Sequence, residues 1–229
     1  MAPLARTLAD AYTQPRTNVK FEITATNSEN GLRAAQAISG TIGLVAREIK
    51  PAELDQRRAV VIARDGVAVI VNKSNPINAI SRAQLVQVFS GEIATWPLGP
   101  SAGKAIVVVS RESGSGTRDA FEKMAMEGMR VTRTAIVMPS QAAVVDFIAR
   151  NADAIGYTSM GALTPGVQAL AIDDVPLSIQ TVEGNQYPFV RTFAFVLPTT
   201  PAPETKRFID FVLSPDGQEI VRQRFGRIP

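Results

Sequence analysis

The chain has 229 residues, 45% of them hydrophobic, 20% charged and 6% aromatic, with a formal net charge of +3. It holds no histidine and no cysteine, which excludes Ser-His-Asp and Cys-His catalysis, histidine or thiolate metal sites, disulfides and a lipid anchor on a cysteine within these residues. No block of consecutive basic residues suggests a nucleic-acid surface, no apolar run approaches membrane-spanning length, and the first residues lack the charged-then-apolar pattern of a signal peptide.

Strand-like and helix-like patterns alternate along the chain, which predicts an α/β architecture in one large domain or two small lobes. Residues 3–12 predict a helix with Leu4, Leu8 and Tyr12 on one stripe. Asn18–Thr24 alternates like a strand, and Gly31–Ile38 reads as a short helix. Ala59–Ala63 and Val67–Val71 read as two strands separated by Arg64-Asp65-Gly66. Ser81 and Gln84 then form a capping box, with Ile80 and Leu85 placed as a staple and Leu85, Val86 and Phe89 as the buried stripe. Trp96 is expected as a packed loop anchor rather than a ligand platform. Ser140 caps a helix carrying Val144, Val145, Phe147 and Ile148, and Ala154–Tyr157 follows as a strand in which Tyr157 is partly buried. Arg191–Leu197 is a further strand. Phe208, Phe211 and Val212 mark a helix, and Ser214-Pro215-Asp216 opens the last one, with proline at its first position.

The segment that carries chemistry is Ser110-Arg-Glu-Ser-Gly-Ser-Gly-Thr-Arg-Asp-Ala-Phe121. It follows the short β-branched run Ala105–Val109, and Phe121, Met124 and Ala125 then fall at helical spacing, so the glycines sit at a strand-to-helix turn. Gly114 and Gly116 let the backbone approach a ligand, while Ser115 and Thr117 add hydroxyl donors. The orphan N–H groups and the positive end of the helix dipole make such a place suited to an anion. Arg111 adds a planar fork of donors that matches a tetrahedral oxyanion. The same Ser/Gly residues would also serve a plain tight turn with an N-cap. A nucleotide P-loop is set aside because no lysine follows these glycines, and Glu112, Asp119 and Glu122 are spaced like a solvated helix start rather than a metal site.

The stretch Ser110–Phe121 resembles the signature of phosphate-binding proteins that feed ATP-driven phosphate importers. Three further segments agree in order and spacing: Asp65-Gly66-Val67 through Asn75-Pro76 with Leu85, Phe89-Ser90-Gly91 and Trp96; Ala154–Tyr157; and Phe208 with Ser214-Pro215-Asp216-Gly217-Gln218. The resemblance implies a type II periplasmic binding protein fold, with two α/β lobes joined by two crossing strands and a ligand cleft between them. Lobe 1 would comprise residues 1–66 plus 191–229, and lobe 2 residues 67–190. The implied ligand-binding residues are Arg111, Ser115, Gly116 and Thr117 in lobe 2, with Ser113 where some members carry an acidic partner for the arginine. In lobe 1, Ser28 matches a ligand-binding serine and also suits a simple N-cap. No catalytic residue, metal or cofactor is implied.

Three departures from the family pattern bear on function. The chain opens at Met1-Ala2-Pro3-Leu4 as though the first strand and its ligand-binding loop were missing, so that Met1 would be an internal methionine of a longer precursor. Thr41 stands where relatives carry an aspartate, which predicts weaker discrimination of phosphate from sulfate. Ala46 replaces a serine before Arg47, and Glu29 sits beside Ser28, where its charge would oppose an anion. The resulting expectation is a monomeric, non-enzymatic solute-binding protein that captures an oxyanion, inorganic phosphate first, for an ABC permease and ATPase outside the cytoplasm, without nucleic-acid partners. The alternatives are a cytosolic anion-sensing domain of the same fold and a truncated remnant with weak or no binding.

Overall fold

A computed structural model describes residues 1–16 and 18–228; Thr17 and Pro229, both inside the expected first lobe, lie outside the described residues. The chain divides into two units, Met1–Arg64 with Thr192–Pro229, and Asp65–Arg191. These divisions, at 64/65 and 191/192, fall inside strands and lie within two residues of the expected boundaries at 66/67 and 190/191.

The first unit begins with α1 (Ala2–Thr13), which buries Leu4, Leu8 and Tyr12 as its stripe requires. Helix α2 (Ser28–Ala37) starts three residues before the expected Gly31 because Asn27, not Ser28, is its cap: the Asn27 side chain accepts from the Asn30 N–H at 2.9 Å. Strand β1 (Gly43–Val45) and the short helix α3 (Pro51–Leu54) lead to β2 (Arg57–Asn72), which carries the chain into the second unit.

The expected strand over Asn18–Thr24 is absent. Its alternation is real, since Val19, Phe21 and Ile23 are half-buried while Asn18, Lys20, Glu22 and Thr24 are exposed. Yet the segment pairs with no strand among the described residues, and a strand exists only through its ladder. The inward residues pack on helices instead. The Phe21 ring lies 4.6 Å from Phe208 and 6.2 Å from Tyr12, and Val19, Phe21 and Ile23 line, with Arg6, Ala9 and Asp10 of α1, a groove of about 570 Å³.

The second expected break, at Arg64-Asp65-Gly66, is also absent: β2 runs through it without interruption. The fully buried Asp65 is answered by Arg191 (Nε to Oδ2 2.8 Å, Nη2 to Oδ2 2.7 Å) and by the Ser159 hydroxyl (2.6 Å), so its charge does not force the chain out to water. Gly66 leaves room for Leu177 and Val182, whose side chains would lie 2.4 and 3.0 Å from an added Cβ.

The second unit continues through β3 (Ala79–Ile80), α4 (Arg82–Ser90), β4 (Val107–Arg111), α5 (Gly116–Ala125), β5 (Ile136–Met138), α6 (Gln141–Arg150), β6 (Ala154–Ser159), β7 (Val167–Ala169), β8 (Ala171–Ile172) and α7 (Ile179–Glu183). The capping box of Ser81 and Gln84 forms as expected, and Trp96 is a buried loop anchor whose indole N–H donates to the Asp153 carbonyl at 2.9 Å. In its sheet, β4 lies between β5 and β6, parallel to both, while β6 and β7 each run antiparallel to β2. A core of Val69, Leu85, Phe89, Phe121, Ile155 and Tyr157 fills one side; Ala68, Ile70, Val109, Val144 and Ile148 pack on the other. Strand β9 (Val190–Pro198) then returns the chain to the first unit, pairs antiparallel with β1, and is followed by α8 (Pro203–Leu213) and α9 (Pro215–Arg222), the latter capped by Ser214.

Candidate functional site

Four of the expected site residues, Arg111, Ser115, Gly116 and Thr117, lie on the turn between β4 and α5, and all four are buried. Register explains where the turn begins: Arg111 is the last residue of β4, opposite Met138 of β5, so the chain leaves the sheet there. Gly114 takes φ +81°, a conformation that favours glycine, and reverses the chain into the helix. Ser115 is the N-cap of α5, its Oγ accepting from the Arg118 N–H at 3.3 Å, which leaves the hydroxyl proton available. The Arg118 guanidinium donates to the Arg111 carbonyl at 3.0 Å and to Glu122 at 2.8 Å, fastening the first turn of α5 to the end of β4. The N–H groups of Gly116 and Thr117 have no partner among the described residues.

Arg111 is held on one edge. Its Nε and Nη2 each donate to a Glu112 carboxylate oxygen at 2.8 Å, and Nε also reaches the Met138 carbonyl at 3.2 Å. Its Nη1 makes no hydrogen bond among the described residues, although the side chain is only 8% exposed. The arginine's acidic partner is therefore Glu112 and not the position of Ser113, which is exposed, and Glu112 is not part of a solvated helix face. Beneath the turn, the Tyr157 hydroxyl accepts from the Arg111 N–H at 3.3 Å and shares a hydrogen bond with Ser110 Oγ at 2.8 Å. Its ring stacks on Phe121 with centroids 4.0 Å apart. Burial pushes the Tyr157 phenol up to about 12, so it stays neutral and acts as a fixed strut rather than a ligand group.

In the first unit, Ser28 is buried at the first position of α2, and its Oγ accepts from the Ala46 N–H at 3.0 Å. The capping role belongs to Asn27, and the Ser28 hydroxyl proton remains free to donate. The Glu29 carboxylate is engaged by Arg33 one helical turn on, which answers its charge locally. Thr41 is half-buried just before β1, with its N–H on the Ile38 carbonyl at 3.3 Å. Arg47, next to Ala46, is tied to Glu53 at 2.7 Å.

One residue was misplaced in the sequence reading and one escaped it. Glu112 carried a signal, an acid directly beside the arginine. Gln141 carried none: its Nε2 donates to Thr117 Oγ1 at 3.0 Å across a separation of 24 residues.

Residues 1–216 match the family model described as a PBP superfamily domain. Over 129 residues the chain is 39% identical to the protein named phosphate-binding protein PstS 2 of Streptococcus pneumoniae; that match covers 53% of this chain and 44% of the relative, less than half its length. It is 29% identical over 238 residues to phosphate-binding protein PstS of Bacillus subtilis, covering 100% of this chain and 77% of that one. Among solved structures, a Clostridium perfringens protein assigned as a phosphate ABC transporter substrate-binding protein, crystallised with phosphate bound, superposes with TM-score 0.93 at 31% identity, covering 100% of this chain and 96% of that one.

Proposed function

This chain belongs to the PBP superfamily, and within it to the phosphate-binding substrate-binding proteins of ABC transporters, and from that membership we propose that it captures inorganic phosphate for a membrane permease and its ATPase. Its fold is that of the type II periplasmic binding proteins. The observation that carries the ligand is the turn Arg111–Thr117, where a buried guanidinium keeps Nη1 open and the Gly116 and Thr117 amides and Ser115 hydroxyl have protons to give. An acceptor-rich tetrahedral anion satisfies all of these at once. In the first unit Ser28 is the candidate donor, with Thr41 second. We read the chain as a binder rather than an enzyme, because no described residue stands as a base beside the Ser115 hydroxyl and recognition needs only donors, and we place its work outside the cytoplasm with the transporter receptors of its family.

Calorimetric titration of the purified chain with phosphate and, in parallel, sulfate tests this reading. One-to-one phosphate binding is expected, with Arg111→Ala weakening it more than about 100-fold, since a charge-assisted bond is lost and Glu112 is left unpaired beside the anion. With Thr41 in place of a carboxylate, the dissociation constants for the two anions should be comparable. A folded sample giving no heat with either anion would refute the proposal.

A further inference from the structure

We infer that Gln141 is a positioning residue for the anion, fixing the Thr117 hydroxyl as a donor toward the ligand; the inference rests on the anion reading above. Thr117 is the second residue of α5 and 3% exposed, and Gln141 is the first residue of α6. The two helix starts, each capped by a serine, are tied by the Gln141 Nε2 to Thr117 Oγ1 bond of 3.0 Å.

A hydroxyl has one proton and two lone pairs, and an oxyanion only accepts. A threonine lone pair turned to the anion repels it; the O–H attracts it. The Gln141 amide N–H occupies a lone pair of Thr117, and no described acceptor takes the Thr117 proton, which therefore stays available for an oxyanion. The amide thus selects one of the two ways a threonine can face a ligand. Arg111 needs no such help, because a guanidinium is donor-only.

The test substitutes Gln141 in the wild-type and Thr117→Val backgrounds and titrates each with phosphate. Gln141→Met removes the amide and is expected to weaken binding about 3–10-fold, the worth of one oriented hydrogen bond. Gln141→Glu replaces the donor by an acceptor that recruits the Thr117 proton and adds a like charge, so it should weaken binding about 30–100-fold. A carboxylate at the first position suits the helix dipole, so the thermal midpoint of Gln141→Glu should hold or rise while affinity falls. In the Thr117→Val background Gln141→Met should change nothing further, and that coupling is what a merely structural role would not produce. Wild-type affinity in Gln141→Met, or an equal loss with and without the Thr117 hydroxyl, overturns the inference and leaves the phosphate reading intact. Absence of phosphate and sulfate binding by the folded wild-type chain overturns both.

Discussion

Arg111 carries a full positive charge, yet Glu112 answers it inside the turn, so under the proposed function an incoming anion would meet directed N–H and O–H groups rather than a bare cation. The turn itself was legible in sequence because Arg111, Ser115, Gly116 and Thr117 lie close together along the chain, and glycine and serine report backbone geometry directly. Glu112 was misplaced because helix-start spacing was applied to a residue that lies in the turn, just after the end of β4 and four residues before α5 begins. Gln141 was invisible because its role depends on a contact across 24 residues that no local pattern encodes. Ser28 and Thr41 could be named only by resemblance, and the structure adds that Ser28 is a buried hydroxyl with a proton to spare. A residue-scale consequence of charge concerns Glu53, whose carboxyl the Arg47 guanidinium holds at about 2 against an ordinary 4.5. A depressed carboxylate stabilises the fold fully above pH 4.5 and loses that contribution as pH falls through about 2. Arg47→Met should therefore lower stability at neutral pH, and its difference from wild type should shrink below pH 4.5 and vanish near 2. Urea unfolding across that range checks it, and a pH-independent difference would refute the assignment.

At the scale of elements, propensity and capping located the longer helices and the strands β2, β4, β6 and β9, while the strands of two or three residues and the short helices α3 and α7 went unread because they are too brief to show a period. The boundary drawn at Arg64-Asp65-Gly66 assumed that an aspartate and a glycine end a strand; a distant arginine and serine make the buried carboxylate tolerable, and neighbouring side chains occupy the space the glycine leaves. Asn18–Thr24 has the right period without a partner strand, which a one-dimensional pattern cannot reveal. Helix α2 and strand β1 meet through two glycines. A Cβ on Gly43 would lie 2.5 Å from the Gly31 carbonyl oxygen and 2.9 Å from the Ala35 Cβ, and backbone cannot yield as a flexible side chain can. Gly43→Ala is expected to cost about 1–3 kcal/mol by overpacking. Chemical denaturation measures this, and a neutral effect would mean that α2 shifts freely on the sheet.

At the scale of the molecule, the chain passes between its units twice, within β2 and within β9, and a buried pair marks both passages: Asp65 opens the second unit and Arg191 closes it. Removing the arginine leaves the buried Asp65 carboxylate with only the Ser159 hydroxyl among its described partners, so Arg191→Met should destabilise the protein by about 3–5 kcal/mol, while exchanging both for apolar residues of similar volume should recover most of the loss. A cost below about 1 kcal/mol in guanidinium unfolding would show that water reaches the pair. The arrangement also sets an order on the ribosome. The second unit is complete in sequence once Arg191 has emerged, whereas the first must wait for Thr192–Pro229, which supply most of β9 and all of α8 and α9. Until then β1 lacks its antiparallel neighbour and the apolar stripe of α1 lacks the Phe208 face. Vectorial synthesis therefore favours a nascent chain in which the Arg111–Thr117 turn is already built while the segment beginning at residue 1 is still unfolded, and that early-made, late-folding segment is where a chaperone would have most to hold.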